Sequence, residues 1–311
     1  MFEITHIFNN GYYINDFYQT LYRIKVDKIL INENYNINNK NIYKIFQLAA
    51  ENGYLKIVKL LLKDKRVDPS NNRNYVIQLA SKHNHIKIIK LLLKDKRVDS
   101  GDDNNLAIRW ASEEGHYKIV KLLLKDKKVD PSDNNNETIQ TASEYGHLKI
   151  VKLLLKDKRV DPGDDYNLAI RWASKSGYLE VVKLLMEDKR VDPSDCNNNS
   201  IIWASEKGHL KIVKLLLKDK RVDPSDYNNY AIIKAVKNGH LKIVKLLLKD
   251  KRVDPSDYNN YAIIKAVKNG HLKIVELLLQ DKRINLNNVI KYTIENKYTK
   301  ITQLLLKYKN K

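Results

Sequence analysis

Histidine is the side chain best suited to acid–base or metal chemistry near neutral pH. Six of the eight in this chain share one register: His85, His116, His147, His209, His240 and His271, at intervals of 31 or 62 residues. A metal site needs nitrogens about 2 Å from one ion, whereas stacked helical repeats stand roughly 8–10 Å apart. These histidines are therefore read as structural, and no metal is expected. His83-Asn84-His85 resembles a nuclease string, but Asn84 fills a turn position and His85 the repeat position. There is no Walker-type phosphate loop, no His-Glu-x-x-His and no Gly-x-Ser-x-Gly. The single cysteine, Cys196, occupies a loop position that other repeats fill with Asp or Tyr, which argues against a catalytic thiol. Neither catalysis nor a cofactor is expected.

Lysines form the other chemically suggestive set. The net charge is +20, and such an excess fits an acidic partner, nucleic acid or a merely soluble surface. Abundant Ile, Asn, Lys and Tyr are also what an AT-rich coding sequence produces. Stripes such as Lys56, Lys59 and Lys63, or Lys149, Lys152 and Lys156, could bind phosphates with salt-dependent affinity. They lack interleaved aromatics and a groove-entering element, and each repeat also carries aspartates. Solubility is the preferred reading, and nucleic acid is not an expected partner.

What must position these residues is a repeat. Glycine recurs at Gly53, Gly115, Gly146, Gly177, Gly208, Gly239 and Gly270, with Asn84 filling the missing position. A fixed period of this size signals a solenoid, in which each unit buries its apolar face only against its neighbours. Eight units, residues 37–284, start near Ile37, Asp68, Asp99, Asp130, Asp161, Asp192, Asp223 and Asp254. Residues 1–36 read as a degenerate N-terminal capping unit, since Ile24-Lys-Val-Asp-Lys-Ile-Leu-Ile31 falls in register with Leu55-Lys-Ile-Val-Lys-Leu-Leu-Leu62. Residues 285–311 read as a truncated C-terminal cap with Lys297 in the glycine position. No boundary between globular domains is needed.

Within a unit, asparagine precedes the first helix at Asn74, Asn105, Asn136, Asn167, Asn198, Asn229 and Asn260, which suggests N-cap chemistry. Ala231, Ile232, Ala235 and Val236 form an apolar stripe at helical spacing. The Ala235 position is alanine in all eight units, which allows close approach by a second helix. Gly239 ends the first helix where a left-handed residue costs least. The second helix, Leu241 to Leu248, is apolar around most of its circumference and shows only Lys242, Lys245 and Lys249 to water. All six prolines directly follow an aspartate in one register, so that helix has ended by then. Turn formers complete a short projecting finger.

The pattern Ala235-x-x-x-Gly239-His240-Leu-x-Ile-Val-x-x-Leu-Leu-Leu248, repeated eight times, resembles the ankyrin repeat over nearly the whole chain. The implied fold is an all-α solenoid of stacked antiparallel helix pairs joined by short turns and fingers, with a 31-residue period against about 33 in the family. The family's Thr-Pro-Leu-His opening is here Tyr230-Ala-Ile-Ile233, so Asn229 is expected to take over as cap. The Asn-rich, Lys-rich style also resembles ankyrin proteins encoded by giant DNA viruses. The resemblance implies a non-catalytic scaffold that binds proteins on the concave surface of first helices and fingers. A substrate adaptor for a ubiquitin-ligase-type machine is the alternative, with residues 1–36 as recruiter; that segment looks too short and too repeat-like for the role.

The candidate contact residues are those that vary over an invariant core. One first-helix position holds Trp110, Trp172 and Trp203, but Leu79, Thr141, Lys234 and Lys265 elsewhere. A tryptophan there either anchors an interface or packs between adjacent first helices. Neighbouring positions run from Glu113, Glu114, Glu144 and Tyr145 to Lys237 and Lys268, and the acidic fingers add Asp102, Asp103, Asp133, Asp164 and Asp165. The units starting at Asp99 and Asp130 balance at six basic against six acidic residues and five against five, despite the basic whole. A basic protein segment is the partner this favours. The units starting at Asp223 and Asp254 are identical through Val244 and Val275, which suggests recent duplication and less specificity there. With one cysteine, short apolar runs and no basic-then-apolar leader at Met1, an intracellular, cytoplasmic monomer is expected.

Overall fold

The computed structural model describes residues 39–309, and its regular structure there is entirely helical. The capping unit expected over residues 1–36 lies outside the described residues, as do the last two residues. The chain divides into two compact units, Met1–Asn134 and Asn135–Lys311. In the first unit the helices are α1 (Asn39–Glu51), α2 (Leu55–Leu61), α3 (Asn71–Lys82), α4 (Ile86–Leu92), α5 (Asp102–Glu113) and α6 (Tyr117–Leu123). Helix α7 (Asp133–Glu144) begins at the division and runs into the second unit. There it is followed by α8 (Leu148–Leu154), α9 (Asp164–Ser176), α10 (Leu179–Met186), α11 (Asp195–Lys207), α12 (Leu210–Leu216), α13 (Asp226–Lys237), α14 (Leu241–Leu247), α15 (Asp257–Lys268), α16 (Leu272–Leu278), α17 (Leu286–Glu295) and α18 (Thr299–Lys309).

Each unit is a stack of antiparallel helix pairs with the 31-residue period. First helices pack on first helices: α1 on α3 on α5 in one unit, and α9 on α11 on α13 on α15 on α17 in the other. Second helices do the same, from α2 to α6 and from α8 to α16. The apolar stripes explain this order, because each helix has a buried face on both sides of its own repeat. Ile232, Ala235 and Val236 on α13 are fully buried, as are Val244 and Leu247 on α14. Alanine fills the closest approach throughout, with Ala80, Ala111, Ala142, Ala173, Ala204, Ala235 and Ala266 shielded from solvent. Lys242, Lys245 and Lys249 remain exposed along the opposite stripe. The six prolines are buried at the base of the fingers.

The asparagines do not act as the N-caps that their position suggested. Each ends a run of three left-handed residues; in α13 these are Tyr227, Asn228 and Asn229, with φ of 50°, 56° and 58°. Asparagine is among the residues several-fold enriched in this region. Its side chain reaches forward to the next finger. Asn198 Nδ2 donates to Asp226 Oδ2 at 2.9 Å, and its Oδ1 accepts the Asp223 N–H at 2.8 Å. The same two bonds tie Asn74 to Asp102 and Asp99, and Asn167 to Asp195 and Asp192. A side chain directed forward to the next repeat cannot also turn back onto its own helix; the Oδ1 atoms of Asn198 and Asn229 accept the Asp223 and Asp254 N–H groups instead. Asn285, at the head of α17, does accept the Asn288 N–H as an N-cap.

The turn glycines and the histidines explain each other. Gly208 has φ of +84°, and a Cβ built on it would stand 2.7 Å from Cε1 of His240, one repeat onward. The His240 ring lies over that glycine with its Nε2 2.9 Å from the Glu206 carbonyl, near the end of α11. His85, His116, His209 and His271 meet the carbonyls of Glu51, Lys82, Lys175 and Lys237 in the same way. Asn84 and Lys297 hold the glycine position at φ of 63° and 58°.

A third ladder was not anticipated. Arg97 grips Asp95 through Nε at 3.0 Å and Nη2 at 2.6 Å, while its Nη1 donates to the Val67 carbonyl of the preceding repeat at 3.0 Å. Arg190, Arg221 and Arg252 repeat the arrangement onto Val160, Val191 and Val222. The arginine hydrogen bonds hold Asp95, Asp188, Asp219 and Asp250 below the usual carboxylate range. A carboxyl with a lowered folded pKa gives its full contribution above the unfolded value, about 3.9, and loses it as pH falls through the folded value. The urea midpoint is therefore expected to be flat near neutrality and to drop steadily below about pH 4. An unchanged midpoint at pH 3 would contradict this role for the ladder.

Candidate functional site

Where the apolar stripe of a first helix ends, the opposite edge and the adjoining finger are left for contact. The candidate residues fall on this edge in both units. In the first unit, Trp110 on α5 is half-buried, with its ring edge-on to Tyr75 at 6.2 Å and the Lys82 ammonium 4.9 Å from its centre. Glu113 is half-buried at the end of α5, and Glu114 beyond it is exposed. Asp102 receives the Asn74 amide, and Asp103 pairs with Arg73 at 2.8 Å, so both carboxylates hold neighbouring side chains.

In the second unit, Glu144 closes α7 half-buried, and Tyr145 is exposed with its ring stacked on His147 at 6.5 Å. Asp164 receives the Asn136 amide, whereas Asp165 projects from the finger into solvent beside Tyr166. Trp172 on α9 and Trp203 on α11 lie together, ring centres 5.5 Å apart and planes tilted by 40°. Both are half-buried. They are neither wholly core nor wholly free: each packs along its row and still shows an edge to water.

Further side chains join this surface, and of these the repeat pattern had singled out Lys234 alone. The Lys175 ammonium sits 4.1 Å from the Trp172 ring centre and 5.1 Å from that of Trp203. Arg171, only 8% exposed, lies with its guanidinium 5.7 Å from the Trp203 ring. Lys234 pairs with Glu206 at 2.9 Å; burial alone would lower its pKa, but this bond holds it above the ordinary lysine value. Tyr227 and Tyr258 stand exposed on their fingers, edge-on to Tyr230 and Tyr261 at 5.2 Å. A register was available to find the first of these: Lys82–Trp110, Lys175–Trp203 and Glu206–Lys234 are all 28 residues apart.

Among the described residues, no group of three or more His, Cys, Asp or Glu side chains could hold a metal ion. Cys196 is exposed in the left-handed turn of α11. No helix among the described residues is long and apolar enough to cross a membrane. Lys56 and Lys59 on α2 and Lys149 and Lys152 on α8 are exposed, as are Lys63 and Lys156 just beyond the ends of those helices.

No curated protein matches the chain. The family described as Ankyrin repeats (3 copies) matches in overlapping windows at residues 46–135, 108–198, 139–228, 170–259, 201–290 and 232–311. These windows run unbroken from residue 46 to residue 311, over the helix pairs, glycine turns and fingers described above, and the chain belongs to the ankyrin-repeat family.

Proposed function

We propose that this protein is a non-catalytic scaffold that binds a protein partner through the edge formed by first helices and fingers. The ankyrin-repeat fold generally serves protein–protein interaction. The observation that carries the reading is variability in place: the tryptophan position and its neighbours change from repeat to repeat over alanine and glycine positions that scarcely change. Trp110, Trp172 and Trp203 serve as anchors of large area, the kind of residue that dominates interface energetics. Glu113, Glu114 and Asp165 supply negative charge beside them, and Glu144 and Tyr145 add a carboxylate and an exposed ring. Asp102, Asp103 and Asp164 shape the fingers while holding Asn74, Arg73 and Asn136. A basic segment is the complement of the acidic positions. The single cysteine and the Asn- and Lys-rich composition support a cytoplasmic protein of the giant-virus type.

Reversal of Glu113, Glu114 and Glu144 to lysine is expected to leave the melting temperature within a few degrees and to lower partner recovery in affinity capture about tenfold, equivalent to about 1.4 kcal/mol. The changes Trp172→Ala and Trp203→Ala should cost about 1–3 kcal/mol of stability, because the rings are half-buried, and should also abolish capture. Lost stability with unchanged capture would make the tryptophans purely structural.

A further inference from the structure

We infer that the second unit reads a charge order in its partner: an extended segment with a carboxylate seated at Lys175 between Trp172 and Trp203, and a basic residue about three positions away over Glu144. The inference rests on the scaffold reading above and gives it a chemistry.

Two cations meet at the paired indoles, Lys175 at both rings and Arg171 at that of Trp203. Lys175 is held against the faces of both tryptophans, which fix its ammonium by attraction to the ring quadrupoles. It makes no ion pair among the described residues. Arg171 is more than nine-tenths buried, donates from Nη2 to the Asp165 carbonyl at 3.0 Å, and leaves Nε without an acceptor. Burial and that bond fix the guanidinium in place, so its positive charge stays beside the Trp203 ring. The carboxylate that could have served, Glu206, is already bound to Lys234. An apolar floor with a positioned, unneutralised ammonium strengthens the attraction for one carboxylate by lowering the local dielectric.

One repeat back, Glu144 stands to Trp172 in the 28-residue register that joins Lys175 to Trp203 and Glu206 to Lys234. It likewise makes no ion pair among the described residues. Successive repeats lie roughly 8–10 Å apart, and a chain extended as polyproline II advances about 3.1 Å per residue and brings a side chain back to the same face at every third position. Opposite charges facing Glu144 and Lys175 are therefore separated by about three residues of extended peptide, with an apolar side chain between them against Trp172. The order basic, apolar, acidic favours a polypeptide over a nucleic acid, whose phosphates would be repelled at Glu144.

Panning a random 12-residue peptide display library on the full chain tests this. The expected result is enrichment of Asp or Glu next to an apolar residue, with Lys or Arg about three positions away. The best peptide should bind Lys175→Glu at least tenfold more weakly, and replacing its acidic residue with lysine should restore binding to that variant. Peptides that need Trp172 but ignore Lys175→Glu would overturn the charge order and leave the scaffold reading standing. Peptides that bind only through the second-helix lysines, or no enrichment at all, would overturn both. Competition by a polyuridine 20-mer that Lys175→Glu abolishes would assign the cluster to single-stranded nucleic acid and overturn the proposal. Because Lys175 is half-exposed, Lys175→Glu should melt like the parent, and circular dichroism checks this.

Discussion

Asn198→Ala is expected to lower the unfolding free energy by about 2–5 kcal/mol. The side chain is 5% exposed and makes two bonds to the next finger, at 2.9 Å to Asp226 and 2.8 Å to the Asp223 N–H. A lost bond that strands a buried partner costs about 1–3 kcal/mol. The residue also sits at φ of 57°, where alanine pays about 1–2 kcal/mol that asparagine partly escapes. Asn198→Gly separates the two effects, because glycine tolerates the backbone but supplies neither bond. It should cost about 1–2 kcal/mol less than alanine. Equal losses in urea titration would mean that the backbone term is negligible. A loss under about 1 kcal/mol for alanine would mean that the ladder does not couple the repeats.

Gly208→Ala should cost about 2–4 kcal/mol, combining the left-handed backbone with overpacking against the His240 ring. The test lies in the double variant. His240→Ala alone removes a ring and its bond to the Glu206 carbonyl. Added to Gly208→Ala it also removes the atoms the new methyl would strike, so the two losses should fall short of their sum by at least about 1 kcal/mol. Strict additivity would separate the glycine from the histidine and leave only the backbone requirement. Tyr178 takes the histidine place over Gly146, so the pairing is of ring with glycine rather than of imidazole alone.

The parts of this fold that depend on one repeat were open to reading from the sequence. Gly239 had to turn, Ala235 had to be small, and proline had to end the second helix, because each statement concerns backbone within a few residues. What depends on the next repeat was misread. Asn229 is favoured both as an N-cap and in the left-handed region, and only its partners decide between them. Those partners, Asp254 and Asp257, lie 25 and 28 residues away. The sequence does carry the signal: aspartate follows the asparagine by 28 residues at every junction from Asn74 to Asn229, and stops at Asn260, where Asn288 stands instead. The Arg97 ladder was hidden for the same reason, since an exposed Lys-Arg pair looks like solvated charge until a carbonyl 30 residues back is brought beside it. At the candidate site, the tryptophans were conspicuous by type, whereas Lys175 was one lysine among many until stacking set it between two rings.

The assignment of binding to the first-helix edge is tested most directly by site-specific photo-crosslinking in cells. A benzoylphenylalanine placed at Glu144, on the first-helix edge, should join a partner polypeptide. The same group at Lys152, on the second-helix stripe, should not. Crosslinks formed only from position 152, or crosslinks to nucleic acid from position 144, would contradict the assignment.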